Sequence, residues 1–355
     1  MNRKSKIVLL LTLLCFACVS ARADNVDDYV RAQMQARHIP GLTLAVVREG
    51  KLIKAQGYGL ANLEANAPAS VESVFEIGSI TKQFTAAAIM LLVEEGKIKL
   101  DDKISVYLAD LHPPEGWNNV TVRNLLTHTS GIKTYTGLPG FEFSKHLKKE
   151  DFVKALAGLP LDFPPGEKYS YSNSGYNLLG FILEKASKRP YWEFMRERIF
   201  KPLEMNQTRD RDPVPVIKNR VAGYEWQNNR WENRATDLTD VFSAGAIVSD
   251  VLDLVKWDAA LNGERLLKRA SLDQIWTPMR LNNGKDYPYG LGWDVNVSGA
   301  HRIVSHGGQT AGFSASIARY VNDRMTVIVL CNSGEIGVAG KVRQGIAKLY
   351  VPTLP

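Results

Sequence analysis

The sequence predicts an α+β fold: an antiparallel sheet built from both chain ends and flanked by helices, with a mostly helical lobe inserted between the two halves. Three observations predict it. β-Rich runs bounded by Gly, Asn and Asp lie near both termini, at about 41–60 and 288–331. The stretch between about 98 and 287 carries helical spacing and few strand signals. Thr81 to Glu95 is apolar almost all the way round, which marks a helix buried on every side. No internal repeat, low-complexity tract or linker divides residues 24–355, so they read as one domain.

The first 23 residues stand apart. Arg3, Lys4 and Lys6 precede an apolar stretch from Ile7 to Val19, followed by Ala21-Arg22-Ala23. This is the pattern of a secretory signal cleaved after Ala23, and it predicts export to a bacterial periplasm or beyond. The stretch is short for a membrane anchor, and Cys15 and Phe16 are poor neighbours for a lipid-modified Cys18. Cleavage removes Arg3, Lys4, Lys6 and Arg22, which lowers the formal net charge from +7 to +3. So weak a field, with no basic cluster beyond Lys148-Lys149, argues against nucleic acid or a polybasic membrane contact. Beyond the leader the longest apolar run is the eight residues from Ala86 to Val93, too short for a membrane span.

After the leader, Val26 to Arg37 reads as a helix. Leu42 to Arg48 and Lys51 to Tyr58 form a hairpin about Glu49-Gly50. Helical spacing recurs in Val122 to Leu126, Asp151 to Leu156, Ser174 to Ser187, Trp192 to Ile199 and Ser249 to Leu261. Lys133 to Lys149 reads as a long surface loop of the kind that borders binding sites. Tyr289 to Val295, Arg302 to Ser305, Phe313 to Tyr320 and Met325 to Cys331 read as successive strands, crossed by an amphipathic helix from Val338 to Tyr350. Cys331, the one cysteine outside the leader, ends an apolar strand and reads as a buried thiol without a disulfide partner. With 45% hydrophobic and 23% charged residues, the chain is neither disordered nor a disulfide scaffold.

Three short segments carry possible chemistry. Ser79 and Lys82 lie three apart at the start of the apolar helix, so their heads share a side. A serine needs a base, a partly desolvated lysine can act as one, and a helix N-terminus favours negative charge at the hydroxyl. The same spacing also describes a capping serine beside a solvated lysine. Tyr171 and Asn173 lie two apart in a turn-rich loop that enters a helix; a phenol can move a proton and an amide can orient the lysine. Ser305-His306-Gly307-Gly308-Gln309-Thr310 follows a strand. Its two glycines permit close backbone approach, and the Gln309 N–H could join the Ser79 N–H in an oxyanion hole.

In this order the segments resemble the serine β-lactamase and penicillin-binding-protein superfamily, in particular its class C-like branch of β-lactamases, D-peptidases and esterases. The family's Ser-X-X-Lys, Tyr-X-Asn and Lys-Thr-Gly-type boxes match Ser79 to Lys82, Tyr171 to Asn173 and His306 to Gly308. Leu125 to Gly131, Pro165-Gly166 and Tyr289 to Trp293 extend the resemblance over nearly the whole mature chain. It implies an exported serine hydrolase in which Ser79 attacks an amide or ester carbonyl, and Lys82 and Tyr171 shuttle the proton. Asn173, His306, Gly308 and Gln309 would contact substrate, and water would then hydrolyse the acyl-enzyme. Which of Lys82 and Tyr171 is the base stays open.

His306 and Gly307 stand where the family's β-lactamases usually carry lysine and threonine. A histidine of ordinary pKa is a poorer clamp for a substrate carboxylate and loses its charge through neutral pH. This favours a D-peptide, cell-wall peptide or ester substrate over a β-lactam. A β-lactamase and a non-turnover penicillin- or peptide-binding protein are the competing expectations. His128 reads as a turn residue and Glu167 as a solvated charge. No His spacing suits zinc and no cofactor is expected. The sequence carries no signal for oligomeric state.

Overall fold

The computed structural model describes residues 25–139, 146–235 and 237–354. The expected leader, with its cleavage after Ala23 and the question of Cys18, lies outside them, as does part of the Lys133 to Lys149 stretch.

Seven strands form the central sheet: β1 (Gly41–Arg48), β2 (Lys51–Asn62), β3 (Ala67–Pro68), β4 (Asp294–Ser298), β5 (His301–Thr310), β6 (Phe313–Tyr320) and β7 (Met325–Cys331). Their order is β4-β5-β6-β7-β1-β2-β3, antiparallel throughout, so the two chain ends meet where β7 pairs with β1. β1 is central and all but its last residue is buried, as a strand covered on both faces must be. The hairpin from β1 to β2 turns through Glu49 and Gly50, both at positive φ (51° and 75°), which matches the right-handed twist of its strands.

One face of the sheet is covered by α1, over residues 25–36, and by a C-terminal helix (Val338–Tyr350). Val26, Val30, Val342 and Ile346 pack there on Val327, Val329 and Cys331. The other face receives α2 (Thr81–Glu94), buried from Thr81 to Leu92 because it lacks a polar side to present to water. Gly96 closes α2 at φ 71°, with the Lys97 and Gly96 N–H groups bonded back to the Leu92 and Val93 carbonyls. Beyond α2 lies the mostly helical lobe, which includes α3 (Asn173–Ser187), while α4 (Val251–Ala260) packs directly on β1 and β7; the C-terminal helix is α5.

Four expectations are corrected. The edge strand begins at Asp294 rather than Tyr289, because Gly290 and Gly292 turn the chain inward. A Cβ on Gly292 would lie 2.7 Å from the Lys82 carbonyl oxygen, so that turn packs directly on α2. The strand expected over Arg302 to Ser305 continues to Thr310, and the His306 to Thr310 segment is therefore inside the sheet. The lobe contains short strands, Phe75–Glu76 with Ile247–Ser249 and Arg209–Asp210, and the hairpin Gly223–Gln227 with Arg230–Arg234. The segment after Lys133 is not all surface loop, since Tyr135 is buried in a short turn.

α4 is fixed to the sheet by a buried ion pair. Asp258 accepts from Arg319 Nε and from Thr326 Oγ1, both at 2.8 Å, and all three side chains are buried. Removing the carboxylate would leave a buried guanidinium uncompensated. Asp258→Ala is expected to lose about 3–5 kcal/mol of unfolding free energy in urea titrations, and the double variant Asp258→Leu/Arg319→Met to recover most of it.

Candidate active site

Ser79 sits in a tight turn (Gly78–Ile80) that feeds α2, and Lys82 lies one turn further on. The Lys82 side chain is fully buried, yet its Nζ has three oxygen neighbours: Ser79 Oγ at 3.1 Å, Asn173 Oδ1 at 2.8 Å and the Ala244 carbonyl at 2.7 Å. It forms no ion pair with any described carboxylate. Burial without a counter-charge pulls its pKa well below the ordinary lysine value. A neutral amine has two N–H groups and one lone pair. In that neutral form the amide and carbonyl oxygens, which can only accept, take both N–H groups and leave the lone pair to the Ser79 hydroxyl; the charged form would donate to all three oxygens.

Asn173 opens α3, after Ser172, whose Oγ caps the helix by accepting from the Gly175 N–H. Its orientation is set from outside the helix. The Asn173 backbone N–H donates to Thr134 Oγ1 and its Nδ2 to Thr136 Oγ1, both at 3.2 Å, which turns Oδ1 toward Lys82. Among the described residues the Tyr171 hydroxyl is buried without a hydrogen-bond partner, while Lys82 Nζ lies 4.8 Å from the ring centroid. Burial drives the phenol pKa up, tempered by the Ser79 hydroxyl nearby, so the ring is a protonated phenol at any working pH.

Behind Tyr171 stands His128, at positive φ (58°) and buried, its ring centroid 4.2 Å from that of Tyr171. His128 Nδ1 accepts the Ser172 N–H at 3.0 Å, which ties the loop carrying Tyr171 and Asn173 to the turn after Val122–Leu126. Burial holds its pKa well below the usual histidine value. Glu167 pairs with its neighbour Lys168, as a solvated charge does.

β5 closes the cleft. Its hairpin to β6 turns through Ala311 and Gly312 with Thr310 opposite Phe313, so Thr310 is a hydrogen-bonded pair and Gln309 is not. The Gln309 N–H therefore leaves the free edge of the strand, on the side where Gly78 lies; a Cβ on Gly78 would stand 2.6 Å from that nitrogen. Gly308 makes the approach possible, because a Cβ there would meet the Ile77 carbonyl oxygen at 1.9 Å. Gly307 has no such neighbour, so one glycine of the two serves close approach. The Gln309 side chain turns away to bond Gly334 O and the Gly337 N–H, leaving only its backbone for the cleft.

His306 departs from the expected carboxylate clamp. Its Nδ1 donates to the Gly307 carbonyl at 2.6 Å, which makes Nε2 the acceptor for the Tyr289 hydroxyl at 3.1 Å. Both nitrogens are used. Burial, with Lys82 nearby, pushes its pKa down to about 4, so it is neutral through the range in which its charge was expected to change. The Ala244 carbonyl and the Thr134 and Thr136 hydroxyls are contacts the sequence reading missed. A carbonyl gives no residue signal, but two threonines in the loop flagged as bordering a site could have been weighed. Beside Ser79 opens a cavity of about 240 Å³, walled by Leu238, Val241, Ala244 and Ala311 and bordered by Asn173 and Thr136. Cys331 is remote in the core, its thiol pKa raised by burial.

Comparison with known proteins fits this geometry. A family model described as Beta-lactamase matches residues 26–349. The chain belongs to the beta-lactamase family. It is 34% identical over 311 residues to Penicillin-binding protein 4* of Bacillus subtilis (strain 168), covering 82% of this chain and 68% of that protein. The staphylococcal relatives that follow are matched over 62% of their length. Among solved structures, the octameric penicillin-binding protein homologue from Pyrococcus abyssi aligns with a TM-score of 0.82 and 27% identity, over 93% of this chain and 77% of that one. A D-stereospecific amidohydrolase from Streptomyces sp. aligns with a TM-score of 0.72 and 26% identity, over 87% and 94%. Family members are generally serine hydrolases. Among the described residues no helix is long and apolar enough to cross a membrane, and no cluster of His, Cys, Asp or Glu could hold a metal ion.

The His306 geometry has a measurable consequence. Its imidazole is expected to titrate with a midpoint near pH 4 in proton NMR, against an ordinary value of 6.5. Because the folded pKa is the lower one, the unfolded chain binds the extra proton, and this group's share of stability is complete above pH 6.5 and lost as pH falls toward 4. Urea titrations of His306→Gln should show a flatter fall over that window.

Proposed function

We propose that the chain is an exported serine hydrolase that acts through an acyl-enzyme on an amide or ester carbonyl. The observation that carries this reading is the counter-ion-free Lys82 amine, whose lone pair is left facing Ser79. Ser79 Oγ bonds to the substrate carbonyl carbon as its proton passes to Lys82. The oxygen that becomes negative is received by the Ser79 and Gln309 N–H groups at the helix start. Tyr171, held protonated, gives its proton to the departing amine or alkoxide and is recharged from Lys82, whose amine lies over its ring. Water then cleaves the acyl ester by the same groups in reverse.

Lys82 is the base in this scheme and Tyr171 the acid, because burial drives their pKa values in opposite directions. The cavity beside Ser79 is small and mainly apolar, which suits a short acyl or small apolar side chain. A β-lactam carboxylate would meet a neutral His306 with both nitrogens engaged, which favours a D-peptide, cell-wall peptide or ester substrate. Likeness to a D-stereospecific amidohydrolase and to penicillin-binding proteins supports the same choice. Export rests on the leader pattern of residues 1–23.

Intact-mass measurement after a fluorophosphonate probe tests the reading. One adduct is expected on the wild type and none on Ser79→Ala. In a panel of short-chain esters, D-amino-acid amides and a chromogenic cephalosporin, turnover should favour the first two classes and fall about 10⁴-fold or more in Ser79→Ala. An adduct of equal yield on Ser79→Ala would overturn the mechanism. Fast cephalosporin turnover would instead support the β-lactamase, and a stable penicillin adduct without turnover the binding protein.

A further inference from the structure

On the sheet face opposite α2, a second cavity of about 240 Å³ opens between β4, β5 and α5. Asn296, Ser298, Ser305, Tyr320, Arg343 and Gln344 supply its polar lining, and among the described residues no carboxylate lines it. Ser305 and His306 are successive residues of one strand and point to opposite faces, so this cavity lies behind the Ser79 cleft and apart from it.

Arg343 is out of place on its helix. The buried stripe of α5 runs Val338, Ala339, Val342, Arg343, Ile346 and Ala347, so a guanidinium occupies a position that helical spacing reserves for an apolar side chain. Arg343 is only 7% exposed and forms no ion pair among the described residues. Nη1 donates to the Tyr320 hydroxyl at 2.6 Å; among the described residues Nε is buried without a partner and Nη2 makes no hydrogen bond. Burial pulls its pKa down, and the field of Asp294 on β4 opposes that without making contact. Asp294 is itself part-buried, its pKa pushed up to about 6 by burial, so above that pH it is ionised and opposes the Arg343 charge from a distance, without a hydrogen bond to the guanidinium. A buried guanidinium with no anion in contact, only the Tyr320 ring 5.8 Å away and the Asp294 field, keeps part of its desolvation cost uncompensated.

The unused donors have a particular shape. Nε–H and Nη2–H lie side by side on the guanidinium edge, the fork that grips a carboxylate through both oxygens; Nε is buried, so a side-on grip requires the side chain to turn that edge into the cavity. Around it Asn296, Ser298, Ser305 and Gln344 offer amides and hydroxyls, none with a side-chain hydrogen-bond partner among the described residues. We propose that this cavity is a binding site for a small carboxylate-bearing molecule, held side-on by Arg343 and contacted by the neutral polar groups around it. One guanidinium with neutral neighbours matches a monoanion, and the volume suits a molecule of a few heavy atoms rather than a polymer.

The test uses the full chain, labelled with ¹⁵N-arginine and titrated with sodium acetate and sodium D-lactate against sodium chloride at equal ionic strength. The Arg343 Nε–H resonance, assigned by its loss in Arg343→Lys, should shift saturably with either carboxylate and not with chloride. Arg343→Lys keeps a charge but not the fork, and calorimetry should show a dissociation constant raised about tenfold or more. Carboxylate should raise the melting temperature of the wild type and not of Arg343→Met, which in anion-free buffer should melt no lower than the wild type. Ser305→Val, at the cavity wall, should weaken binding while leaving esterase or amidase turnover unchanged. No saturable shift, an equal shift with chloride, or unchanged affinity in Arg343→Lys would overturn the site. Tighter binding of sodium phosphate than of either carboxylate would overturn the ligand class.

Discussion

Lys82 imposes the constraint on which the rest of the cleft depends: a fully buried amine that meets three neutral oxygens and no carboxylate. A charged lysine there would bear the desolvation cost alone, so burial itself biases the group toward its neutral form. Each neighbour then has a definite task. The Asn173 amide and the Ala244 carbonyl occupy the two N–H groups, and what remains is a lone pair directed at a serine. The two threonines that orient Asn173 and the turn that delivers Ala244 are as necessary to this arrangement as the residues that touch substrate. That delivery carries strain, since Phe242, at the start of the turn, has φ 43° and ψ −125°.

The scaffold brings the parts together by letting backbones touch. Gly308 admits the Ile77 carbonyl against β5, Gly78 lies on Gln309, and Gly292 lies on the Lys82 carbonyl. These contacts join the sheet, the entrance of α2 and the turn before β4 into one rigid corner. The protonation states follow from the same packing. Burial lowers Lys82, His128 and His306 and raises Tyr171, so a base and an acid arise from similar surroundings through their opposite charge types.

Much of this was legible in the sequence where the signal is local. The β-rich runs of β1, β6 and β7, bounded by turn residues, and the all-apolar α2 made the sheet and a buried helix legible, and the Ser79–Lys82 spacing could be read because three residues on a helix fix a geometry. Contributions without a residue code could not be read. Strands of two or three residues, such as Phe75–Glu76 and Arg209–Asp210, are too short to show alternation. The Ala244 carbonyl reaches Lys82 from 162 residues away. His306 was read as a poor clamp that titrates near neutral pH, whereas burial and the Tyr289 hydroxyl, neither of which its own segment reveals, hold it neutral well below that range. Arg343 escaped notice because a single arginine in an amphipathic helix reads as a surface residue until the helix is docked.

The pH dependence of Ser79 acylation by a neutral fluorophosphonate tests the central claim most directly. With a Lys82 pKa held down by burial, the rate should level off at a pH well below 10.5, the ordinary lysine value, and the profile should collapse in Lys82→Met. A rate that climbs without levelling through pH 10.5, or a Lys82→Met variant that acylates as fast as the wild type, would contradict the account.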